Sequence, residues 1–167
     1  MNMKAALDRL KVEKATEKDW DSIFQILEET ELAIFLLNTS SENHKNFYVG
    51  VDTTSNEIIG CFKIEFEGNI GNFKNFAIKK NLQGKGFGKA LLAKAANIAK
   101  GLGLKKLYGA SVIGTAFWEK IGFRKINLSD SKDLYFLKWI DYLEKKTPQF
   151  DNLREYILLM VEEIETL

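Results

Sequence analysis

The chain has 167 residues, 46% hydrophobic and 28% charged, with a formal net charge of +1. Those values describe one soluble globular domain with enough chain to bury a core, and they give no general attraction to nucleic acid. A single cysteine, Cys61, and a single histidine, His44, exclude an internal disulfide and a cysteine–histidine zinc cluster.

No run of about 18 apolar residues is present, so no membrane span is expected. Residues 1–9 lack the apolar core of a secretory signal. Together with the free thiol, this predicts a cytoplasmic protein.

Residues 12–15 read as the first strand. Thr16 offers an N-cap with Asp19 three residues on, and Trp20, Ile23, Phe24 and Leu27 recur at helical spacing to about Glu29. A second helical piece is expected over 31–37, closed by the polar run 38–43. Residues 47–51 and 58–67 alternate apolar and polar around a turn at 52–56. Asn69 and Gly71 mark another turn before a strand over 73–78. A helix rich in alanine and leucine follows over 86–100, ended by Gly101 and Gly103.

A strand over 106–110, a helix over 115–121 stopped by Gly122, and strands over 123–126 and 134–139 come next. Beyond the lone Pro148, Asp151 is expected to cap a last helix, with Leu153, Ile157, Met160, Ile164 and Leu167 on one stripe. The order β-α-α-β-β-β-α-β-α-β-β-α describes an α+β domain with a mixed sheet.

Between Gly68 and Trp118 the chain carries nine lysines and no aspartate or glutamate. In the middle stands Gln83-Gly84-Lys85-Gly86-Phe87-Gly88-Lys89, between a predicted strand and a predicted helix. Glycines let a phosphate approach backbone amides, and a helix N-terminus favours the negative charge. A dinucleotide fingerprint fails, because Gly84 and Gly86 are followed by Lys89 where a third glycine is required. A P-loop would need glycine at Gln83 and a hydroxyl at Ala90. A protein-kinase loop would need a longer chain. The alternative is a glycine-rich turn beneath a solvated lysine face.

The pattern Gln83-x-x-Gly86-x-Gly88 resembles the acetyl-CoA signature of the Gcn5-related N-acetyltransferases, the GNAT superfamily. Phe117-Trp118-Glu119-Lys120-Ile121-Gly122-Phe123 is similar to a second segment of that family, about thirty residues downstream. The element order from Val12 to Trp139 matches too. The resemblance implies a GNAT acyl-CoA N-acyltransferase fold over residues 1–140, a mixed, mostly antiparallel, twisted sheet flanked by helices. Residues 141–167 would add an extra C-terminal helix packing on the domain or on a partner, as in a homodimer.

The same resemblance implies an acetyl-CoA-dependent transfer of acetyl to a primary amine, directly and without a covalent enzyme intermediate. Pantetheine pairing maps onto Phe76, Ala77 and Ile78, and pyrophosphate binding onto Gln83, Gly84, Lys85, Gly86, Phe87, Gly88 and Lys89. Lys79 and Lys80 would join Lys85 and Lys89 in an unopposed positive field. The thioester would lie beside Ala110 and Ser111, near Phe117 and Trp118, with the Ile78 amide holding its carbonyl. Cys61 then reads as a small buried hydrophobe rather than a nucleophile.

The chain departs from the family pattern at the acid and the base. Trp118 stands where many members have a tyrosine acid, and an indole is not acidic. Tyr108 and Ser111 are the substitutes, each equally readable as packing. Where relatives carry a glutamate on the strand before the turn, this chain has Asn72, Lys74 and Asn75. Glu65 and Glu67 are the nearest carboxylates, as base or as a solvated sheet face. Glu28, Glu29 and Glu31 could attract a cationic amine or simply face solvent, and His44 reads as an exposed loop residue. The expected acceptor is a small-molecule amine or amino acid. The alternatives are a protein N-terminus or lysine, another acyl-CoA, and a non-catalytic acyl-CoA-binding module. No nucleic-acid, membrane or metal partner is expected.

Overall fold

The computed structural model describes residues 1–33, 36, 40–111, 116–120, 123–126, 137–138, 141, 145 and 158–163. It divides into two compact units: Met1–Ile64 with Asn75–Ile98, and Glu65–Lys74 with Ala99–Leu167. Strands β3 (Glu57–Glu67) and β4 (Ile70–Ile78) run from one unit into the other.

The first unit opens with α1 (Met3–Arg9), a helix that hydrophobic periodicity did not reveal. Its seven residues are too few for a repeat, but Asn2 is a readable cap, and its side chain accepts the Ala5 N–H at 2.9 Å. β1 (Leu10–Lys14) pairs antiparallel with β2 (Phe47–Asp52), and β2 pairs antiparallel with β3. The Thr16 cap opens a 3-10 turn, Glu17–Asp19, and α2 (Trp20–Glu29) begins only after it, with the Asp19 carboxylate accepting the Thr16 N–H at 2.7 Å and its hydroxyl at 2.9 Å. Glu31, at φ 62, turns the chain away from the helix axis. Of the helical piece expected over 31–37, residues 34, 35 and 37 lie outside the described residues, while Glu31, Leu32 and Leu36 are not helical and Ala33 is in a 3-10 turn.

Strand alternation divides the two sides of this part of the sheet. Phe47, Val49, Val51, Cys61 and Ala77 bury against Trp20, Ile23, Ile26 and Leu27 of α2. Each fully buried leucine or isoleucine contributes about 1.5–3 kcal/mol. Gly50 points the other way, where an added Cβ would meet Leu10 and Leu91, each at 3.1 Å. That side carries α3 (Phe87–Gly101).

In the second unit the strand order is β4, β5 (Lys106–Ser111), β7 (Leu158–Glu163), β6 (Arg124–Ile126). β5 lies parallel to β4 over four residue pairs, from Ile70↔Lys106 to Phe73↔Gly109. β7 is antiparallel to both β5 and β6. α4 (Ala116–Lys120) sits between β5 and β6 in sequence. The sheet is therefore mixed and mostly antiparallel, as the sequence predicted.

Three expectations need correction. The last helix is not helical over Leu158–Glu163, because that segment is a strand between β5 and β6. Leu158, Leu159, Met160 and Val161 form an unbroken apolar run in the sequence, which has no period to separate a strand from a helix. Asp151, Leu153, Ile157, Ile164 and Leu167 lie outside the described residues. The strand expected over 134–139 is helical at Leu137 and Lys138, its remaining residues being outside the described ones. Gly71 is not a turn residue but lies inside β4, where an added Cβ would strike Leu104 at 2.8 Å and Leu107 at 2.9 Å. The turn is Gly68-Asn69 instead.

Candidate functional site

In the first unit, the end of β4 and the glycine turn form one continuous backbone. Asn75 takes φ 49 within the strand, a left-handed kink that re-aims the residues after it. Phe76 is half-buried behind it, while Ala77 and Ile78 are buried. The Lys79 N–H then donates to the Ile59 carbonyl at 2.8 Å. A short 3-10 turn, Lys80–Leu82, leads to Gln83. The Gln83 side-chain amide donates back to the Ile78 carbonyl at 3.2 Å, and the Glu29 carboxylate accepts the Lys80 N–H at 2.9 Å. Glu29 therefore ties the end of α2 to this loop, whereas Glu28 and Glu31 are exposed.

Gly84 and Gly86 hold φ 75 and φ 90, which side-chain-bearing residues rarely adopt. A Cβ on Gly84 would meet nothing within 4 Å, so its backbone is open to an incoming ligand. Gly86 lies under α1, where a Cβ would come within 3.4 Å of Met3 backbone atoms. The Ala90 N–H donates to the Gly86 carbonyl at 3.1 Å, starting α3. The N–H groups of Phe87, Gly88 and Lys89 precede that bond and have no intrahelical acceptor.

Lys80, Lys85 and Lys89 are exposed beside the turn. The positive field is not wholly unopposed, since Glu57 approaches Lys79 at 3.7 Å. The Phe87 ring is 1% exposed, with the Arg9 guanidinium 5.6 Å from its centroid, so it offers the turn no side chain. Left-handed glycines at a helix N-terminus, beside the exposed Lys80, Lys85 and Lys89, fit a phosphate-bearing ligand, with Glu29 and Glu57 at the Lys79–Lys80 edge of that field.

The other candidate residues belong to the second unit. Glu65 is ion-paired with Lys74, and Glu67 is exposed. Tyr108 is 3% exposed and pairs laterally with Asn72 of β4. Ser111 ends β5, opposite Leu158. Trp118 packs edge-on against Phe73 at 6.0 Å and Phe123 at 5.4 Å. Phe117, 38% exposed, lies 5.3 Å from Trp118. The Trp118 ring thus belongs to an aromatic cluster, a packing role for the residue that replaces the family's tyrosine.

One other expectation holds. Cys61 is fully buried, and burial pushes its thiol far above the usual range, which suits a small hydrophobe and not a nucleophile. His44 is not the exposed loop residue expected: it is part-buried in the 3-10 turn Ser41–His44, where its Nδ1 lies 2.6 Å from the Ser41 carbonyl.

Asn72 stands out in a way the sequence did not signal. It is 0% exposed, and neither Oδ1 nor Nδ2 has a hydrogen-bond partner among the described residues. An unsatisfied buried polar group costs about 1–3 kcal/mol. Strand periodicity marks which residues are buried but says nothing about whether a buried amide finds a partner.

The sequence model described as an acetyltransferase (GNAT) domain matches residues 43–125, from just before β2 into β6. The chain belongs to the GNAT superfamily. The glycine turn and the opening of α3 lie inside the matched segment, so the family's signature coincides with the phosphate-suited geometry. No curated protein sequence matches the chain.

Solved structures resemble this GNAT domain in fold. Rv2747 from Mycobacterium tuberculosis, in complex with CoA and NLQ, is 18% identical with a TM-score of 0.72, covering 92% of this chain and 98% of that one. N-acetylglutamate synthase from Neisseria gonorrhoeae, complexed with coenzyme A and N-acetyl-glutamate, is 19% identical with a TM-score of 0.73 over 93% of this chain. This chain spans 35% of that enzyme. A spermidine N-acetyltransferase mutant from Vibrio cholerae is 18% identical with a TM-score of 0.60, covering 71% of this chain and 81% of that one. No helix among the described residues is long and apolar enough to cross a membrane.

Proposed function

We propose that this GNAT domain is an acetyl-CoA-dependent N-acetyltransferase whose acceptor is the primary amine of a small molecule or amino acid. The observation that carries this reading is the turn Gln83–Lys89, with two left-handed glycines opening α3 beside Lys85 and Lys89. The solved relatives that hold CoA support it.

Bound acetyl-CoA would supply a thioester as the acetyl donor. The amides from Gly84 to Lys89 hold its pyrophosphate, with Lys80, Lys85 and Lys89 adding positive charge around it. Phe76, Ala77 and Ile78 offer backbone groups to the pantetheine arm, and the Ile78 N–H polarises the thioester carbonyl in the manner of an oxyanion hole. Gln83 fixes the Ile78 peptide through its carbonyl. Orientation of this kind contributes several kcal/mol to catalysis.

The amine nitrogen forms the new C–N bond as the C–S bond breaks. Glu67 is the exposed carboxylate for the amine's proton, whereas Glu65 is engaged by Lys74. Tyr108 and Ser111 on β5 are the candidates to protonate the departing thiolate, with Phe117 and Trp118 bordering the cofactor.

The test is release of free thiol from acetyl-CoA across a library of primary amines. Acceptor-dependent release is expected, with one acetylated product per thiol. Tight acetyl-CoA binding with no release for any amine would instead favour a non-catalytic acyl-CoA-binding module.

A further inference from the structure

The start of α1 stands against the glycine turn. A Cβ built on Gly86 would lie 3.4 Å from both the N and the Cα of Met3, and 3.5 Å from the Asn2 carbonyl carbon. Lys4 follows, its Cα about 3.8 Å from that of Met3. The helix is fixed at both ends. The Asn2 side chain caps its first turn. At the other end Arg9 ion-pairs with Asp52, lies over the Phe87 ring, and accepts the Thr53 N–H on its carbonyl at 2.8 Å.

The fold itself makes little use of the side chains at this start. Ala6 is the buried residue of α1. Met1 and Met3 are 52% and 42% exposed, two of the five large apolar side chains exposed among the described residues. Lys4 is exposed and makes no ion pair among the described residues, not even with Asp8 one turn on.

An apolar surface beside a cation, continuous with a phosphate-suited turn, matches one part of the cofactor. Beyond its pyrophosphate, CoA carries an adenosine with a 3′-phosphate. The amides of the turn, with Lys80, Lys85 and Lys89, are assigned to the pyrophosphate, which leaves the purine and the third phosphate without a partner. A thioether against an aromatic ring is favourable by about 0.3–1.5 kcal/mol, and a lysine ammonium meets a phosphate as a point charge. The α1 backbone adds no donor of its own at Ala5, whose N–H is held by Asn2.

We propose that Met3 and Lys4 bind the adenosine 3′-phosphate end of acetyl-CoA, the Met3 thioether on the purine and the Lys4 ammonium on the 3′-phosphate. This deepens the acetyl-CoA reading above and rests on it. Both residues precede the segment that the family model matches, residues 43–125. This end of the site therefore comes from the chain's own first helix and not from the family's signature.

The test titrates three acetyl thioesters by calorimetry: those of CoA, of dephospho-CoA, which lacks the 3′-phosphate, and of 4′-phosphopantetheine, which lacks the adenosine as well. It uses wild type, Lys4→Met, Lys4→Arg and Met3→Ser, with thermal unfolding in parallel. Wild type is expected to prefer acetyl-CoA to acetyl-dephospho-CoA about fivefold, a preference that shrinks as salt is added. Lys4→Met is expected to bind the two alike, losing affinity for acetyl-CoA alone, and Lys4→Arg to keep the preference. Met3→Ser is expected to weaken both adenosine-bearing thioesters several-fold and to leave the phosphopantetheine thioester unchanged. Tm should stay near wild type throughout, because both side chains are exposed.

A fivefold preference kept in Lys4→Met would overturn the proposal. So would an equal loss for both adenosine-bearing thioesters in that variant, which would place Lys4 at the pyrophosphate. Unchanged affinity of Met3→Ser for acetyl-dephospho-CoA would overturn it too. Should Lys4→Met fail to fold, Lys4→Gln decides by the same comparison. Equal binding of all three thioesters to wild type defeats this proposal alone, whereas binding of none defeats the reading beneath it.

Discussion

The Gln83 side-chain amide donates to the Ile78 carbonyl at 3.2 Å, joining the last residue of β4 to the first residue of the glycine turn. One residue thereby holds in register the peptide assigned to the thioester and the loop assigned to the pyrophosphate. A neutral hydrogen bond of this kind is worth about 1 kcal/mol. Gln83→Ala is expected to weaken acetyl-CoA binding about fivefold in a calorimetric titration. Tm should change little, because Gln83 is exposed.

Asp52 ties the start of the molecule to β2. The Arg9 guanidinium, whose Nε lies 3.2 Å from Oδ1, holds the Asp52 carboxyl below the usual carboxylate range, with the Thr54 N–H assisting. A carboxyl with a depressed folded value contributes stability above its unfolded value of about 3.9 and loses it as pH falls through the folded one. Asp52→Asn is therefore expected to lower Tm at pH 7. The gap from wild type should close as pH drops below about 4, which thermal melts across pH would show.

Cys61 is sealed in the core, its thiol donating to the Asn75 carbonyl at 3.6 Å. Iodoacetamide is expected to leave it unmodified in the folded protein and to label it on unfolding. Cys61→Ala should keep acetyltransferase activity, measured as thiol release, while losing a little stability to the small cavity.

Trp118 packs edge-on between Phe73 and Phe123. Trp118→Phe preserves an aromatic ring in that cluster while removing the indole N–H together with part of the bicyclic ring. Turnover is expected to stay within a few-fold of wild type. Loss of the chemical step with folding and cofactor binding intact would reassign Trp118 to catalysis.

Much of the middle of the fold was legible because two periods are plain there. Alternation over 47–51 and 58–67 marked β2 and β3, and the alanine–leucine run ended by Gly103 marked α3. The glycine turn was legible because its composition is rare, and its left-handed φ values at Gly84 and Gly86 explain why glycine stands there. Leu158–Glu163 misled because an unbroken apolar run has no period to separate strand from helix. α1 escaped notice because seven residues hold too few apolar positions to repeat. Tertiary partners were out of reach altogether: no spacing shows that Glu65 meets Lys74, that Glu29 reaches the Lys80 amide, or that Asn72 is buried unsatisfied.

The claim on which the rest depends is that the turn Gln83–Lys89 binds acetyl-CoA. It is tested most directly by titrating acetyl-CoA into wild type and into a Lys85→Glu, Lys89→Glu double variant. Both lysines are exposed beside the turn, so the variant reverses local charge without disturbing the core. One equivalent is expected to bind wild type, with affinity about a hundredfold weaker in the variant and a gap that narrows as salt screens the charges. Equal affinity in the two proteins, or no binding to wild type, would contradict the account.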